Sequence, residues 1–354
     1  MSKKVLLLGD LMLDSYTFGK VKRISPEAPV PILHAGKEEE LPGGAGNVAL
    51  NLRSLGCEVV LCGRVGDDKA AHTLKQKFYD EKVEFIPVVE KNYRTPIKHR
   101  LIADNQQLIR IDYEEISFLP DELIAPALKT LEEKIAQVDI VALSDYGKGF
   151  LTSAFCKSVI ALAKKHKKKI IVDPKGLDYS KYCGVDLIKP NRKEAYDASH
   201  LPQTEPIQHA AKKLLEITRA ESIVITLSEE GMVLFQKGSE KKFPVKSKEV
   251  KDVTGAGDTV LASLVAALAS NLTLDEAIKL ANVSASIAIE QVGCARVSLK
   301  DLARRLLEID HHNKVFDENH LFALSHALKD QPYHVMKLDP NTTISPELFQ
   351  SIRK

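Results

Sequence analysis

Short, almost wholly apolar runs recur along this chain, separated by longer stretches whose apolar residues fall three or four apart. Residues 4–8, 58–62, 83–88, 139–143, 169–172, 186–189 and 222–226 form the first class. With apolar side chains on both faces, such runs suit strands buried in a parallel sheet. Residues 68–79, 121–136 and 152–166 form the second class and predict amphipathic helices. Another helix opens at 42–49 and ends at Gly56, with Val48, Ala49, Leu52 and Leu55 as its apolar stripe. Residues 260–268 hold neither Gly nor Pro and predict a helix buried all round. Two more helices follow over 274–291 and 299–309. Strand and helix in alternation predict an α/β fold with a doubly wound, mostly parallel sheet.

Two regions break the rhythm. Residues 16–40 read as irregular, with Pro26, Pro29 and Pro31, apart from an edge strand at 30–34, where Pro is tolerated. Residues 95–102 and 107–112 flank a polar turn at Asp104 and predict a hairpin. These pieces, about 14–40 and 94–113, predict a small accessory β-sheet lid. It carries Arg23, Arg94, Lys98, Arg100 and Arg110, which suit either an anionic ligand or a solvated face. Beyond residue 310 the sheet-and-helix rhythm stops, apart from a helix at 320–328. The expected organisation is one domain over 1–310 and an appended tail over 311–354.

Bulk properties narrow the classes. The 354 residues carry 50 basic and 48 acidic side chains, well mixed, for a net charge of +2. That balance offers no footprint for nucleic acid or a membrane surface. The apolar run at the N-terminus is too short for a signal-peptide core and reads as a strand. Five cysteines without metal-type spacing predict structural thiols in a reducing compartment, hence a cytoplasmic location.

The chemistry concentrates at residues 252–259, Asp-Val-Thr-Gly-Ala-Gly-Asp-Thr, which run straight into the buried helix. Thr254 is the expected N-cap, and Gly255, Ala256 and Gly257 leave their amides uncovered at the positive end of the helix dipole. That arrangement binds anions, phosphate included. Asp258 stands beside those amides, where a carboxylate repels an anion unless it has its own task, such as taking a proton from an attacking hydroxyl. Taken alone, the stretch also fits a capped helix whose acidic first turn answers the dipole. Polar residues at the ends of several other strands point to a ligand at one sheet edge. Asp14, just past the first strand, fits either a sugar-hydroxyl contact or a turn residue bonding its own backbone. Gly44-Ala45-Gly46-Asn47-Val48-Ala49 matches the dinucleotide fingerprint formally. It lies too far from the first strand for that reading. Its glycines instead let a ligand press on backbone, and Asn47 offers a donor and an acceptor. No P-loop signature is present.

Gly43-Gly44 with Asn47 opening a helix, Pro190-Asn191-Arg192-Lys193-Glu194 after a short strand, Thr226 with Gly231, and Asp252 to Asp258 together resemble the ribokinase-like (PfkB-type) carbohydrate kinases over about residues 1–310. The stretches 23–31, 42–49, 105–110, Ser144 to Gly149 and Asp173 to Gly176 are similar, more narrowly, to D-glycero-β-D-manno-heptose 7-phosphate kinases. The narrower resemblance implies ATP-dependent phosphorylation at the anomeric hydroxyl, giving a 1,7-bisphosphate, with ATP and Mg²⁺ as cofactors. The alternatives are another sugar or sugar-phosphate kinase of the same fold, such as one for fructose 1-phosphate, or a non-catalytic relative that binds a sugar phosphate. The resemblance implies Asp258 as general base and Gly255, Ala256 and Gly257 as the anion hole. Asn191 and Glu194 would act on Mg²⁺ through water, and Thr226, Glu229, Gly231 and Asn282 would line the nucleotide. Asp14, Gly43, Gly44 and Asn47 would hold the sugar, with Lys175, Arg100 and Arg110 on its phosphate. A homodimer formed through the lid is the implied assembly. Family members are often fused to an adenylyltransferase carrying His-x-Gly-His. Residues 311–354 lack that motif, so the chain resembles a stand-alone kinase or the kinase half of a split system, in which a separate adenylyltransferase would be the partner. Gly293-Cys294-Ala295-Arg296 departs from the small or hydroxyl residues usual there.

Overall fold

The computed structural model describes residues 2–104, 106–245, 250–291 and 293–310. The tail at 311–354, with the helix expected at 320–328, lies outside the described residues. In chain order the elements are β1 (Lys4–Gly9), β2 (Leu11–Ile24), β3 (Pro31–Gly44), α1 (Ala45–Ser54), β4 (Glu58–Val65), α2 (Lys69–Asp80), β5 (Glu84–Val89), β6 (Ile97–Ala103), β7 (Gln106–Tyr113), α3 (Asp121–Gln137), β8 (Ile140–Ser144), α4 (Ser153–Lys165) and β9 (Lys169–Asp173). They continue with β10 (Leu187–Ile188), α5 (Arg192–Ser199), α6 (Ile207–Thr218), β11 (Ser222–Thr226), β12 (Met232–Gln236), β13 (Ser239–Phe243), α7 (Ala256–Ala269), α8 (Leu274–Ala288) and α9 (Leu299–Asp310).

A nine-stranded sheet runs β13-β12-β11-β10-β9-β8-β1-β4-β5. Strands β11 to β5 in that order are parallel, and β12 and β13 join antiparallel at one edge. The apolar runs are continuous because both faces are covered. Val5 and Leu7 of β1 enter one core with α1, α7 and α8, while Leu6 and Leu8 enter the other with α3 and α4. Helix α7 packs against both α1 and α8. That sandwiching explains why it shows no polar stripe.

Register brings several strand ends to one level. Gly9 pairs with Ser144, Ser144 with Asp173, and Ile188 with Val172. Asp10, Asp145 and Lys189 therefore emerge side by side at the carboxyl edge, where open α/β sheets bind ligands.

A second sheet runs β3-β2-β6-β7. Here the structure corrects the reading of residues 16–40 as irregular: all but the connection at 25–30 belong to two paired strands of 14 residues each. Register shifts at Phe18/Gly19 and Val21/Arg23 interrupt the alternation that would have marked β2. The charged run Lys37 to Glu40 disguises β3. Pairing of β2 with β6, more than 80 positions on in the chain, supplies the order that local propensity lacks. Residues 42–44 likewise end β3 rather than opening α1.

All five cysteines are free thiols. No helix among the described residues is long and apolar enough to cross a membrane. Leu264 on α7 is fully buried. Leu264→Ala is expected to cost about 2–5 kcal/mol of stability, read as a lower urea midpoint at unchanged slope.

Candidate active site

Helix α7 starts one residue later than expected. Its N-cap is Gly255, held at φ 75° in the left-handed region, with no side-chain cap. Thr254 does not cap the helix: its N–H and hydroxyl both bond to Asp252 Oδ1, at 2.9 and 2.7 Å. Asp252 Oδ2 accepts the Gly293 N–H at 2.9 Å, which ties the entry of α7 to the segment after α8. Only glycine takes this backbone conformation cheaply. A Cβ at Gly255 would also lie 2.9 Å from Asn47 Nδ2 and 3.4 Å from Cys294 Sγ. The Ala256 N–H turns back to the Val253 carbonyl at 3.2 Å. The Gly257 N–H has no acceptor among the described residues, so it remains a donor at the positive end of the helix.

Asp258 follows in the first turn, with 6% of its surface exposed. The Tyr146 hydroxyl donates to Oδ1, and Asn47 Nδ2 donates to Oδ2 at 2.7 Å. Burial pushes the carboxyl from 3.8 up to about 6, held back by the Tyr146 and Asn47 hydrogen bonds and by Lys189. Tyr146 stands in a loop that Asp10 organises. The Asp10 carboxylate accepts the N–H groups of Tyr146, Lys148 and Phe150 at 2.8, 3.1 and 3.2 Å.

A cleft of about 490 Å³ extends from Asp258 along the ends of β9, β10 and β11. Gly255, Ala256, Gly257, Asn191, Glu194, Thr226, Glu229, Gly231, Asn282 and Lys175 all line it. Asn191 and Glu194 form a capping box on α5: Asn191 Oδ1 accepts the Glu194 N–H at 2.9 Å, and Glu194 Oε2 accepts the Asn191 N–H at 3.0 Å. This local role is one that the motif conceals at sequence level. Lys175 Nζ pairs with Glu194 Oε1 at 2.7 Å. Gly231, at φ 89°, leaves no room for a side chain, since a Cβ would sit 2.2 Å from the Phe243 carbonyl. Asn282 donates to that same carbonyl at 2.9 Å. Lys189 and Asp173, which the sequence reading passed over, also line the cleft. Lys189 is 3% exposed and lies 3.0 Å from Asp173, whose carboxyl burial pushes up to about 7 against the pull of that lysine. Their signal was positional, a charged residue at the end of each of two adjacent apolar strands.

On the other side of Asp258 lies the smaller sheet. Asp14 on β2 accepts from Arg100 Nη1 at 2.5 Å. Gly43 abuts it closely: a Cβ there would fall 2.2 Å from Asp14 Oδ2. Gly44, at φ 58°, caps α1 and passes tightly by the Asp10 carbonyl. Arg100 and Arg110 are register partners on β6 and β7 and so share a face. Arg110 is half-exposed and forks onto Asp112, at 2.8 and 3.1 Å. The structure therefore brings Asp14, Arg100 and Arg110 onto one sheet, whereas Lys175 stands across the site with Glu194.

The raised Asp258 value has a consequence for stability. The folded state holds this proton to a higher pH than the unfolded chain does, so stability falls as pH rises from about 4 to about 6 and then levels. Asp258→Asn removes that penalty. It is expected to melt higher than the parent at pH 8, by the equivalent of about 1–3 kcal/mol. The difference should close near pH 4 in calorimetry run across that range.

Comparisons with known proteins bear on the family and the fold. A family model described as pfkB family carbohydrate kinase matches residues 2–301. The bifunctional protein HldE of Campylobacter jejuni is 42% identical over 325 residues, covering 91% of this chain and 68% of the relative. The bifunctional protein HldE of Helicobacter pylori is 44% identical over 307 residues, covering 85% of this chain and 66% of the relative. Among solved structures, phosphofructokinase-2 from Escherichia coli in complex with potassium superposes with a TM-score of 0.72 at 22% identity, covering 88% of this chain and all of that one. Ribokinase from Arabidopsis thaliana, complexed with ribose and ATP, gives 0.68 at 20% identity, with 86% and 99% covered. With the family model spanning nearly every described element, this chain belongs to the pfkB family of carbohydrate kinases.

Proposed function

We propose that this kinase transfers the γ-phosphoryl group of ATP to the anomeric hydroxyl of D-glycero-β-D-manno-heptose 7-phosphate, yielding the 1,7-bisphosphate. The observation that carries the reading is the Asp258 carboxylate. It is buried, bonded by two donors and placed in the same helical turn as the free Gly257 amide. A sugar hydroxyl between them gives its proton to Asp258 as its oxygen attacks the γ-phosphorus, and the bond from phosphorus to the ADP oxygen breaks. The free Gly257 amide would face the charge on the transferring group, while the Ala256 N–H, expected in the same anion hole, is taken by the Val253 carbonyl.

The cleft past Asn191, Thr226, Glu229, Gly231 and Asn282 would take the nucleotide. Among the described residues no three His, Cys, Asp or Glu side chains cluster as a metal cage. Mg²⁺ binds through one or two carboxylates, its own waters and substrate phosphates. Glu194 retains a lone pair on each oxygen beyond its two bonds and would hold such an ion through water, and the ion would neutralise phosphate charge. Lys175, expected from the sequence on the sugar phosphate, pairs with Glu194 in the cleft and would instead face the ATP phosphates.

The heptose phosphate rests on the sequence motifs and on the cations of the smaller sheet. Asp14, Gly43, Gly44 and Asn47 would hold the sugar. Arg100 and Arg110 share one face and would grip the distal phosphate, Arg110 exchanging Asp112 for it with the same fork. The smaller sheet would act as a lid that excludes water, and a homodimer would form through it.

Two measurements test this. ADP release with Mg²⁺ and ATP is assayed against heptose 7-phosphate, fructose 1-phosphate, fructose 6-phosphate and ribose. Turnover confined to the heptose phosphate supports the proposal; turnover on another sugar keeps the Asp258 mechanism and discards the substrate; none on any sugar discards both. Asp258→Asn is expected to lose on the order of 10²–10⁴-fold in kcat. In the second, the Arg100→Ala, Arg110→Ala pair should raise KM for the sugar phosphate at least about tenfold and leave KM for ATP unchanged.

A further inference from the structure

Tyr146 has no part in the mechanism so far, yet its hydroxyl donates to one oxygen of the proposed base. The contact is built with care. Asp10 takes three backbone N–H groups of the Tyr146–Phe150 loop. The Gly147 N–H bonds to Asp145 Oδ1 at 2.7 Å. Gly149, at φ 92°, lies so close to the Ser117 carbonyl that a Cβ would fall 2.0 Å from it. The loop holding Tyr146 is thus fixed from three directions before any substrate arrives. Asn47 reaches the second carboxylate oxygen from α1, and its backbone carbonyl in turn accepts Asn51 Nδ2 at 3.0 Å.

We propose that Tyr146 is a positioning residue for the phosphoryl-transfer reaction: with Asn47 it clamps Asp258 ionised and aims its remaining lone pairs at the sugar hydroxyl. The inference rests on the reading of Asp258 as base. Each carboxylate oxygen has two lone pairs. Tyr146 occupies one on Oδ1 and Asn47 one on Oδ2, which leaves the carboxylate fixed in rotation and still able to accept a proton. Burial and the neighbouring Asp258 carboxylate push the Tyr146 phenol well above its ordinary 10, so it stays a donor throughout the cycle. The other charged or titratable groups facing Asp258 are Lys189 at the end of β10, Asp14 on β2, Asp173 on β9 and Cys294 beyond α8. Lys189 and Asp14 act in opposite directions. The two hydrogen bonds are thus the main specific contacts working against burial.

The test compares pH–rate profiles of the parent, Tyr146→Phe, Asp258→Asn and a chain with 3-fluorotyrosine at position 146, using Mg-ATP and heptose 7-phosphate or whichever sugar of the panel turns over. Losing a hydrogen bond to a charged group moves its pKa by about one to two units. In Tyr146→Phe the acid limb of kcat/KM should move up by about that much, kcat should fall about tenfold or more through lost alignment, and KM for ATP should hold. Fluorotyrosine, a stronger donor of nearly the same shape, should move the limb the other way. A purely structural role would produce no such opposite shifts. The same titration is read without turnover in thermal melts, where the pH at which stability levels off moves up in Tyr146→Phe. If Asp258→Asn is inactive while both Tyr146 chains keep the parent's limb and melting profile, the positioning role is wrong and the base stands. If Asp258→Asn still turns over, the base assignment is wrong and this inference goes with it.

Discussion

A carboxylate buried at the start of a helix stays ionised only if donors reach it, and here the donors come from distant parts of the chain. Asn47 arrives on α1, Tyr146 on the loop after β8, and Lys189 acts from the end of β10. Each segment is fixed by something other than Asp258. Helix α1 is set by the close pass of Gly44 under Asp10, and the Tyr146 loop by the Asp10 carboxylate. Lys189 is set by its pair with Asp173. Asp10 alone links two of the three, through its backbone carbonyl and its side chain. The aligned strand ends of the parallel sheet make this convergence possible, since they deliver Asp10, Asp145 and Lys189 to one edge from separate parts of the sequence.

Local structural need and ligand chemistry often fall on the same atoms in this site. Asn191 and Glu194 cap α5, and the bonds that do so also present the Glu194 carboxylate to the cleft. Gly255 ends a turn in the left-handed region, and the same conformation leaves the Gly257 amide free. Gly231 lets β12 pass against the Phe243 carbonyl, which Asn282 also bonds. In a capping box the fold alone would explain both residues. What distinguishes this one is that it opens onto the cleft that Asp258 and the free amide also line.

The parallel core was legible in the sequence because both of its faces are buried, so apolar runs persist whatever their partners. Helix α7 and Asp258 were legible for the same reason, a glycine-rich entry followed by an unbroken apolar stretch. The smaller sheet was half legible. Its hairpin β6–β7 alternates, but β2 shifts register twice and β3 carries Lys37 to Glu40, so their order comes from long-range pairing that periodicity does not report. Helix α5 escaped assignment because Asn191 and Glu194 are cap and motif at once; helix α6 and the antiparallel edge β12–β13 also lay outside the alternation that was assigned. Tyr146 carried no signal of its own. Only the register that sets the end of β8 beside the start of α7 gives its hydroxyl a partner.

The charges of the site are balanced internally before any ligand binds. Lys189 faces Asp173, Lys175 faces Glu194, Arg100 faces Asp14, and Lys98 and Arg110 both face Asp112. Burial holds the Asp10, Asp173 and Asp258 carboxyls above their ordinary range, at about 6, 7 and 6. An anionic substrate entering such a site gains little from free positive charge and must exchange partners with the carboxylates. A phosphate that takes Arg110 or Lys175 leaves Asp112 with one cation fewer or Glu194 without its cation. Under the proposed assignment the Glu194 carboxylate released on the nucleotide side would be free to hold a divalent ion through water, which would restore the balance. On the proposed sugar side the released Asp112 would stay within reach of Lys98. Under the proposed assignment, this asymmetry is a physical reason for the nucleotide to enter with a metal and the sugar phosphate without one.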